Sequence, residues 1–449
     1  MTESAGTMRG GHPPRREDHP VRLAAHGRQV AERWPDIWQA LSGTEPARRI
    51  EPVEDTPEPT VAVDGIHLCS GYDRSGEADI QAARVPPRVA EAWVYGVGSG
   101  NLIRALLGRP RLRKLHVVIL SLTVAKTSLA RFDHDDWLSD PRVELSVAGS
   151  GDAVQFPFAA CPPCLQLADD GAARLRDRIL LELDTPYIRA NLRERESVHR
   201  SQLADNERFL AHDGDVATLF GTRAGSVAVV AAAGPSLAEH YPWLRAQRGG
   251  LVLIATDAAL RPLLAEGLKP DLVVCIDGAR EGVLPHFDAD LDALADRPLI
   301  YFPVVHPDVL SAWPGPRLAA YARHEIYREV RGRHPRGELF ASGTVTHAAV
   351  DLAVGLGARE VHLAGADFGF PNGVSHVSGS VHAAPVTDAA GIGPWVHDGY
   401  GRRIATQANL RGYLRDLERY IGVHPEVAFV NRSRSGAYIA GARYPDGRP

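Results

Sequence analysis

The stretch Ser226-Val227-Ala228-Val229-Val230-Ala231 constrains this chain more than any other. A nearly continuous apolar run with no polar alternation suits a strand covered on both faces, as in the parallel sheet of a layered α/β protein. It leads into Ala232-Ala233-Gly234-Pro235-Ser236-Leu237. There Gly234 permits an unusual dihedral and close backbone approach, Pro235 fits a first helical turn, and Ser236 can cap the helix. Free N–H groups and the helix dipole make such a turn attractive to phosphate. Two further strands, Leu251–Ala255 and Leu272–Ile276, end in Thr256-Asp257 and Asp277-Gly278. Successive strands thus place Gly234, Ser236, Asp257 and Asp277 at their carboxyl ends, the edge where open α/β sheets bind ligands. A lone Asp after a strand is commonly a helix cap. Two beside a Gly-Pro-Ser turn predict a nucleotide or diphosphate site.

The pattern continues. Leu299–Val304 reads as a strand, Thr346–Leu356 as a helix closed by Gly357, and Glu360–Ala364 as a strand ending in Gly365-Ala366-Asp367-Phe368. Ser342-Gly343-Thr344 is a second helix N-terminus able to hold phosphate or ribose oxygens. His376 and His382 follow in a Gly-rich segment, where a lid residue belongs.

Upstream, Trp93–Gly100, Leu102–Leu107 and His116–Leu120 form a strand–helix–strand unit around Gly96-x-Gly98-x-Gly100. Leu120-Ser121-Leu122 lacks the carboxylate that would hold a ribose. The preferred reading is a cofactor-free Rossmann-like domain, with a live nucleotide site as the alternative. A helix through Val30–Leu41 ends at Ser42-Gly43, and Glu51–Pro59 reads as a linker or extended arm. Arg174–Leu183 and Tyr187–Leu210 are charged amphipathic stretches with a break expected at Thr185-Pro186.

Composition excludes several classes. A net charge of −5 offers no basic field for nucleic acid. Lys114, Lys126 and Lys269 are the only lysines and none lies in a GxxxxGK[ST] run, so no P-loop is present. Four cysteines make no disulfide framework, and Cys161-Pro-Pro-Cys164 reads as two thiols in an irregular connector, with a redox pair as the alternative. No apolar run is long enough to span a membrane and the N-terminus has no signal-like core, so a soluble, cytoplasmic protein is expected.

The run VAVVAAAGPSLAEHYPWLRAQRGGLVLIATDAALRPLLAEGLKPDLVVCIDG and the later ASGTVTHAAVDLAVGLGAREVHLAGADFGFPNGVSH resemble the motility accessory factor family of flagellin glycosyltransferases. That family shares its central domain with 6-hydroxymethylpterin diphosphokinase-like proteins. The resemblance extends to His67–Asp73 and the N-terminal glycines. C-terminally it takes in Tyr400-Gly401, Thr406, Tyr413, Glu418 and Ser435–Gly441, so that it covers about residues 60–445. Gly-Pro-Ser-Leu, Ser-Gly and Gly-x-Asp-Phe with a later His are also similar to bacterial sialyltransferases that use CMP-sialic acid.

The resemblance implies transfer of a pseudaminic, legionaminic or sialic-type nonulosonic acid from a CMP donor to Ser or Thr hydroxyls of flagellin. By residue match, Gly234, Pro235 and Ser236 approach the donor phosphate and Ser342, Gly343 and Thr344 hold ribose and base. Asp367 belongs to the same set, and His376 is the candidate general base, with His382 competing. Asp257 and Asp277 stand where the sialyltransferases contact the nucleotide with asparagines. The sialyltransferases' phosphate-binding tyrosine is matched by Gly369, beside Phe370, so the leaving phosphate needs a metal, His382 or Arg402/Arg403. Mg²⁺ on Asp257 or Asp277 would satisfy this. Two rivals stand beside it: pyrophosphoryl transfer from ATP to a hydroxymethylpterin, and a catalytically decayed nucleotide-sugar- or flagellin-binding protein. The expected architecture is α/β: 1–59 tail, helix and linker; 60–160 a Rossmann-like domain; 161–223 a helical connector; 224–385 a doubly wound, sialyltransferase-like domain; 386–449 a C-terminal cap.

Overall fold

Val229, Val230, Leu253, Ile254, Val273 and Val274 are inaccessible to solvent, as runs of apolar residues at the centre of a parallel sheet must be. The computed structural model in which they lie describes residues 19–45, 48–149, 151–386 and 393–446. The tail expected at 1–20 falls, up to residue 18, outside the described residues. The chain forms two compact units, 1–182 and 183–449.

In the first unit, β1 (Glu91–Tyr95), β2 (Lys114–Ile119), β3 (Val143–Val147) and β4 (Phe158–Ala160) form a parallel sheet in the order β3-β2-β1-β4. Helix α1 (Asn101–Leu107) follows the Gly-rich turn, and α2 (Leu122–Arg131) is capped by Ser121. Two expectations change here. The 51–59 arm is partly structured, because Ile50–Val53 pairs antiparallel with Thr60–Val63. The N-terminal helix is two, His19–Arg33 and Pro35–Ser42, since Pro35 cannot continue the first and instead starts the second.

Helix α3 (Ala173–Leu210) contains the division between the units.

The second unit holds eight parallel strands: β5 (Gly214–Asp215), β6 (Val227–Ala231), β7 (Val252–Thr256), β8 (Leu272–Cys275), β9 (Leu299–Tyr301), β10 (Arg317–Ala319), β11 (Glu360–Ala364) and β12 (Ala428–Asn431). Their order is β12-β11-β6-β7-β8-β9-β10-β5. The chain steps outward from β6 through β10, then returns to place β11 on the other side of β6. The strand order therefore reverses between β6 and β11, which is the topological switch point of a doubly wound sheet. The expected C-terminal segment supplies β12, a strand of this sheet. Ala231 is in register with both Ala255 and Ala364, so the turns leaving β6, β7 and β11 emerge at one level. Helices α4 (Leu237–Gln247), α5 (Asp257–Ala265), α6 (Val345–Gly355) and α7 (Ala408–Gly422) complete the unit. No helix among the described residues is long and apolar enough to cross a membrane.

Candidate functional site

The carboxyl edge of the central sheet divides into a part locked by internal hydrogen bonds and a part that carries two aspartates and three histidines. The lock is at the switch point. Gly234 N–H donates to the Gly365 carbonyl at 2.8 Å, and a Cβ at Gly234 would lie 2.4 Å from that oxygen. Glycine is thus needed for contact between two protein turns, and Gly234 has no positive φ. The Asp367 carboxylate accepts from the Ser236 backbone N–H at 2.9 Å and from Ser236 Oγ at 2.5 Å. Ser236 Oγ also lies 2.6 Å from Ser433 Oγ, which His240 Nε2 meets at 3.0 Å.

All four side chains are buried. The Gly-Pro-Ser turn expected to receive a phosphate is therefore filled by a carboxylate of its own chain, and Ser236 makes no side-chain cap. Burial pushes Asp367 up to about 6, opposed by the Ser236 donors, and burial together with Arg432 brings His240 down to about 4. Gly436 closes the lock, since a Cβ there would meet Asp367 Oδ1 at 2.4 Å.

Ser342-Gly343-Thr344 stands at the same edge, because a helix feeding a parallel strand runs antiparallel to it. Thr344 caps α6 through the Thr346 N–H. Ser342 Oγ donates to Asp416 at 2.5 Å, and Ser342 N–H donates to His347 Nδ1 at 3.2 Å. Gly343 takes φ +81° with the Tyr413 ring 2.4 Å from its missing Cβ. Of the three, only the Gly343 position is exposed.

The second part lies beyond β7 and β8. Asp257 opens α5, is 5% exposed, and accepts from the Ala258 N–H at 2.7 Å. Burial pushes its carboxyl up to about 6, and the nearby Asp277 carboxylate raises it further, against the Ala258 N–H, the Cys275 thiol and His382. Asp277 is exposed and accepts from the Ala279 N–H at 2.9 Å.

Over them runs the segment 370–386, tied to the β6 turn by Val377 N–H to Ala233 O at 2.9 Å. His382 Nε2 donates to the Gly282 carbonyl at 3.1 Å, which ties the segment to the chain after β8 as well. His376 sits 5.7 Å from His382, ring to ring. Its Nδ1 is buried with no hydrogen-bond partner among the described residues. Burial, then the neighbouring His382, holds His376 below the usual histidine range, so it is neutral at pH 7.

Asp257, Asp277, His376 and His382 are thus brought into one neighbourhood. Gly234, Pro235, Ser236 and Asp367 are held in the lock, and Ser342 is engaged by α6 and α7. Sequence reasoning missed His286, which is 4% exposed with its ring 4.8 Å from His382. Burial brings it down to about 4, helped by His382, His376 and Arg261. It lies in the short turn Leu284–Phe287, where no motif or spacing marks it. Arg402, one expected phosphate partner, is paired with Asp398 at 2.7 Å, and Arg403 covers the Trp395 ring at 4.0 Å.

Against known proteins, the central part of this edge has a clear counterpart. Residues 201–373 match the model of the 6-hydroxymethylpterin diphosphokinase MptE-like family. A curated relative, 6-hydroxymethyl-7,8-dihydropterin pyrophosphokinase of Methanothermobacter thermautotrophicus, is 32% identical over 148 residues. That alignment takes in 31% of this chain and 57% of the relative, so the chain spans just over half of the relative's length. Among solved structures, the MAf glycosyltransferase of Magnetospirillum magneticum AMB-1 aligns with 96% of this chain and 75% of its own, at 18% identity and a TM-score of 0.47. A spermidine synthase of Thermotoga maritima aligns with 28% of this chain and 49% of its own, at 17% identity and a TM-score of 0.22. The MptE-like segment contains the β6–β11 strands, both aspartates and Asp367; His376 and His382 lie just past it.

Proposed function

We propose that this protein is a glycosyltransferase that moves a nonulosonic acid from a CMP-activated donor to a Ser or Thr hydroxyl of flagellin or a similar protein. One observation carries the reading: His376, held by burial below the usual histidine range and with Nδ1 buried and unpartnered among the described residues, lies 5.7 Å ring to ring from His382, which borders Asp257 at the binding edge of the sheet. A neutral imidazole with a free ring nitrogen can accept the proton of an attacking hydroxyl. Because Nδ1 is buried, segment 370–386 must lift to admit the acceptor, and its two tethers, at Ala233 and Gly282, are where it would yield. The sequence resemblance over residues 60–445 supports the same chemistry.

Asp257 and Asp277 are hard oxygen donors, each within the other's field, and neither makes an ion pair with Arg or Lys among those described, so the pair suits Mg²⁺. Bound there, the cation would neutralise the donor's phosphate. Asp257 would hold it from the buried side, Asp277 from the solvent side, and His382 would flank the leaving phosphate.

The MptE-like match favours a second reading, diphosphate transfer from ATP to a hydroxymethylpterin. Incubation with a CMP-nonulosonate and flagellin, and in parallel with ATP and hydroxymethylpterin, separates the two. Release of CMP with a mass gain on the acceptor is the expected result. AMP release dependent on the pterin, with no CMP release, overturns it.

A further inference from the structure

Cys161-Pro-Pro-Cys164 has no part in the edge just described, yet it is built into the Gly-rich turn of the first unit. The pair does not lie in an irregular connector. Cys161 directly follows β4 and Pro162–Gln166 is a helical turn, so the motif sits at a strand-to-helix junction. Gly96 and Gly98 take φ +96° and +54° around it. A Cβ at Gly96 would lie 2.3 Å from Cys164 Cβ, and one at Gly98 would lie 2.8 Å from Cys161 Sγ. The turn therefore folds over two sulfurs, in the place where a dinucleotide-binding turn would meet pyrophosphate.

The Cys161 thiol and the Gly98 and Val97 N–H groups hold Cys164 below its ordinary value, while Cys164 and burial push Cys161 well above it. Successive backbone N–H groups of this kind form an anion-holding nest. Cys161 borders a water-sized cavity of about 10 Å³, shared with Cys69, Arg74, Glu77 and Ser99. Cys164 does not line that cavity.

We propose that Cys161 and Cys164 form a peroxide-oxidisable dithiol, in which cavity-facing Cys161 is the nucleophile and Cys164, held in the glycine turn, is its resolving thiol. The Cys161 thiol gives its proton to solvent as its sulfur attacks one oxygen of hydrogen peroxide. The O–O bond breaks, hydroxide leaves and takes a proton from solvent, and Cys161 becomes a sulfenic acid. The Cys164 sulfur then attacks Cys161, the S–S bond forms, and the sulfenic hydroxyl leaves with the Cys164 proton as water. Two thiols lose two electrons and one peroxide becomes two waters. The two side chains are already neighbours, since a Cβ at Gly96 would lie 2.3 Å from Cys164 Cβ and 3.2 Å from Cys161 Cβ.

Treatment of the full chain with a small excess of hydrogen peroxide, then alkylation under denaturing conditions and peptide mass spectrometry, tests this. The Cys161–Cys164 peptide should become two hydrogens lighter, with its alkylation below about a tenth of the untreated level, while Cys69 and Cys275 stay alkylatable. In Cys164→Ser, which lacks the resolving thiol, peroxide should leave Cys161 as a sulfenic acid that dimedone labels. Full alkylation of the pair after peroxide, or oxidation of Cys69 in its place, overturns the proposal. If Cys164→Ser fails to fold, the peptide map of the native chain decides alone.

Discussion

Asp257→Asn removes a buried carboxylate that lies in the field of Asp277, and its effect can be worked from the structure. A carboxyl held at about 6 instead of its ordinary 3.8 favours the protonated form by roughly 3 kcal/mol, at about 1.4 kcal/mol per pH unit. The folded state binds this proton more tightly than the unfolded chain. The associated stability is therefore fully present below pH 3.8 and is lost as pH rises through about 6. The Asn variant cannot ionise and should lack this slope, while its carbonyl can still accept from the Ala258 N–H.

Because a chain of two units need not unfold in one step, the assay is amide exchange of β6, β7 and β8 peptides under native conditions, corrected for intrinsic rates. Wild-type opening free energy should fall relative to Asp257→Asn by up to about 3 kcal/mol between acid and mildly alkaline pH. Saturating Mg²⁺ should narrow the gap for wild type alone. A gap that stays flat with pH would refute the claim that desolvation, rather than an unseen partner, governs this carboxyl.

Three further outcomes are expected. His376→Ala should lower transfer about 100-fold or more with CMP affinity retained, and the wild-type rate should fall only below the ordinary histidine range, because burial depresses this imidazole; steady-state kinetics across pH checks both. Ser236→Ala should destabilise the central unit by about 1–3 kcal/mol, since Asp367 loses a buried donor, yet leave nucleotide affinity unchanged, as urea titration and calorimetry would show. Gly343→Ala should lower the melting temperature, because the position has φ +81° and Tyr413 occupies the space, whereas Gly332→Ala, with open space around it, should not.

The doubly wound sheet was legible because buried parallel strands need apolar runs, and 226–231, 251–255 and 272–276 are such runs. Their ends were legible too, since Gly and Asp after a strand mark where a helix begins. The partner of each end group was not. Ser236 looked like a helix cap open to phosphate, but the residue that satisfies its N–H lies on β11's exit, far along the chain. The Cys-Pro-Pro-Cys motif was visible as a pair, though its enclosure by the glycine turn was not. His286 was invisible, because a histidine in a short turn carries no periodic signal.

From the residues alone came what depends on local physics: which segments must be strands, where glycine and proline bend the chain, and the absence of a P-loop. Only tertiary structure decided which groups share a proton, a hydrogen bond or a field. Hydrogen bonds and desolvation act over a few ångströms in space, whereas sequence records neighbours along the chain. The switch point joins β6 to β11 across more than a hundred residues, and that pairing set Asp367 against the Ser236 N–H and left Asp257 and Asp277 beyond β7 and β8, near His382.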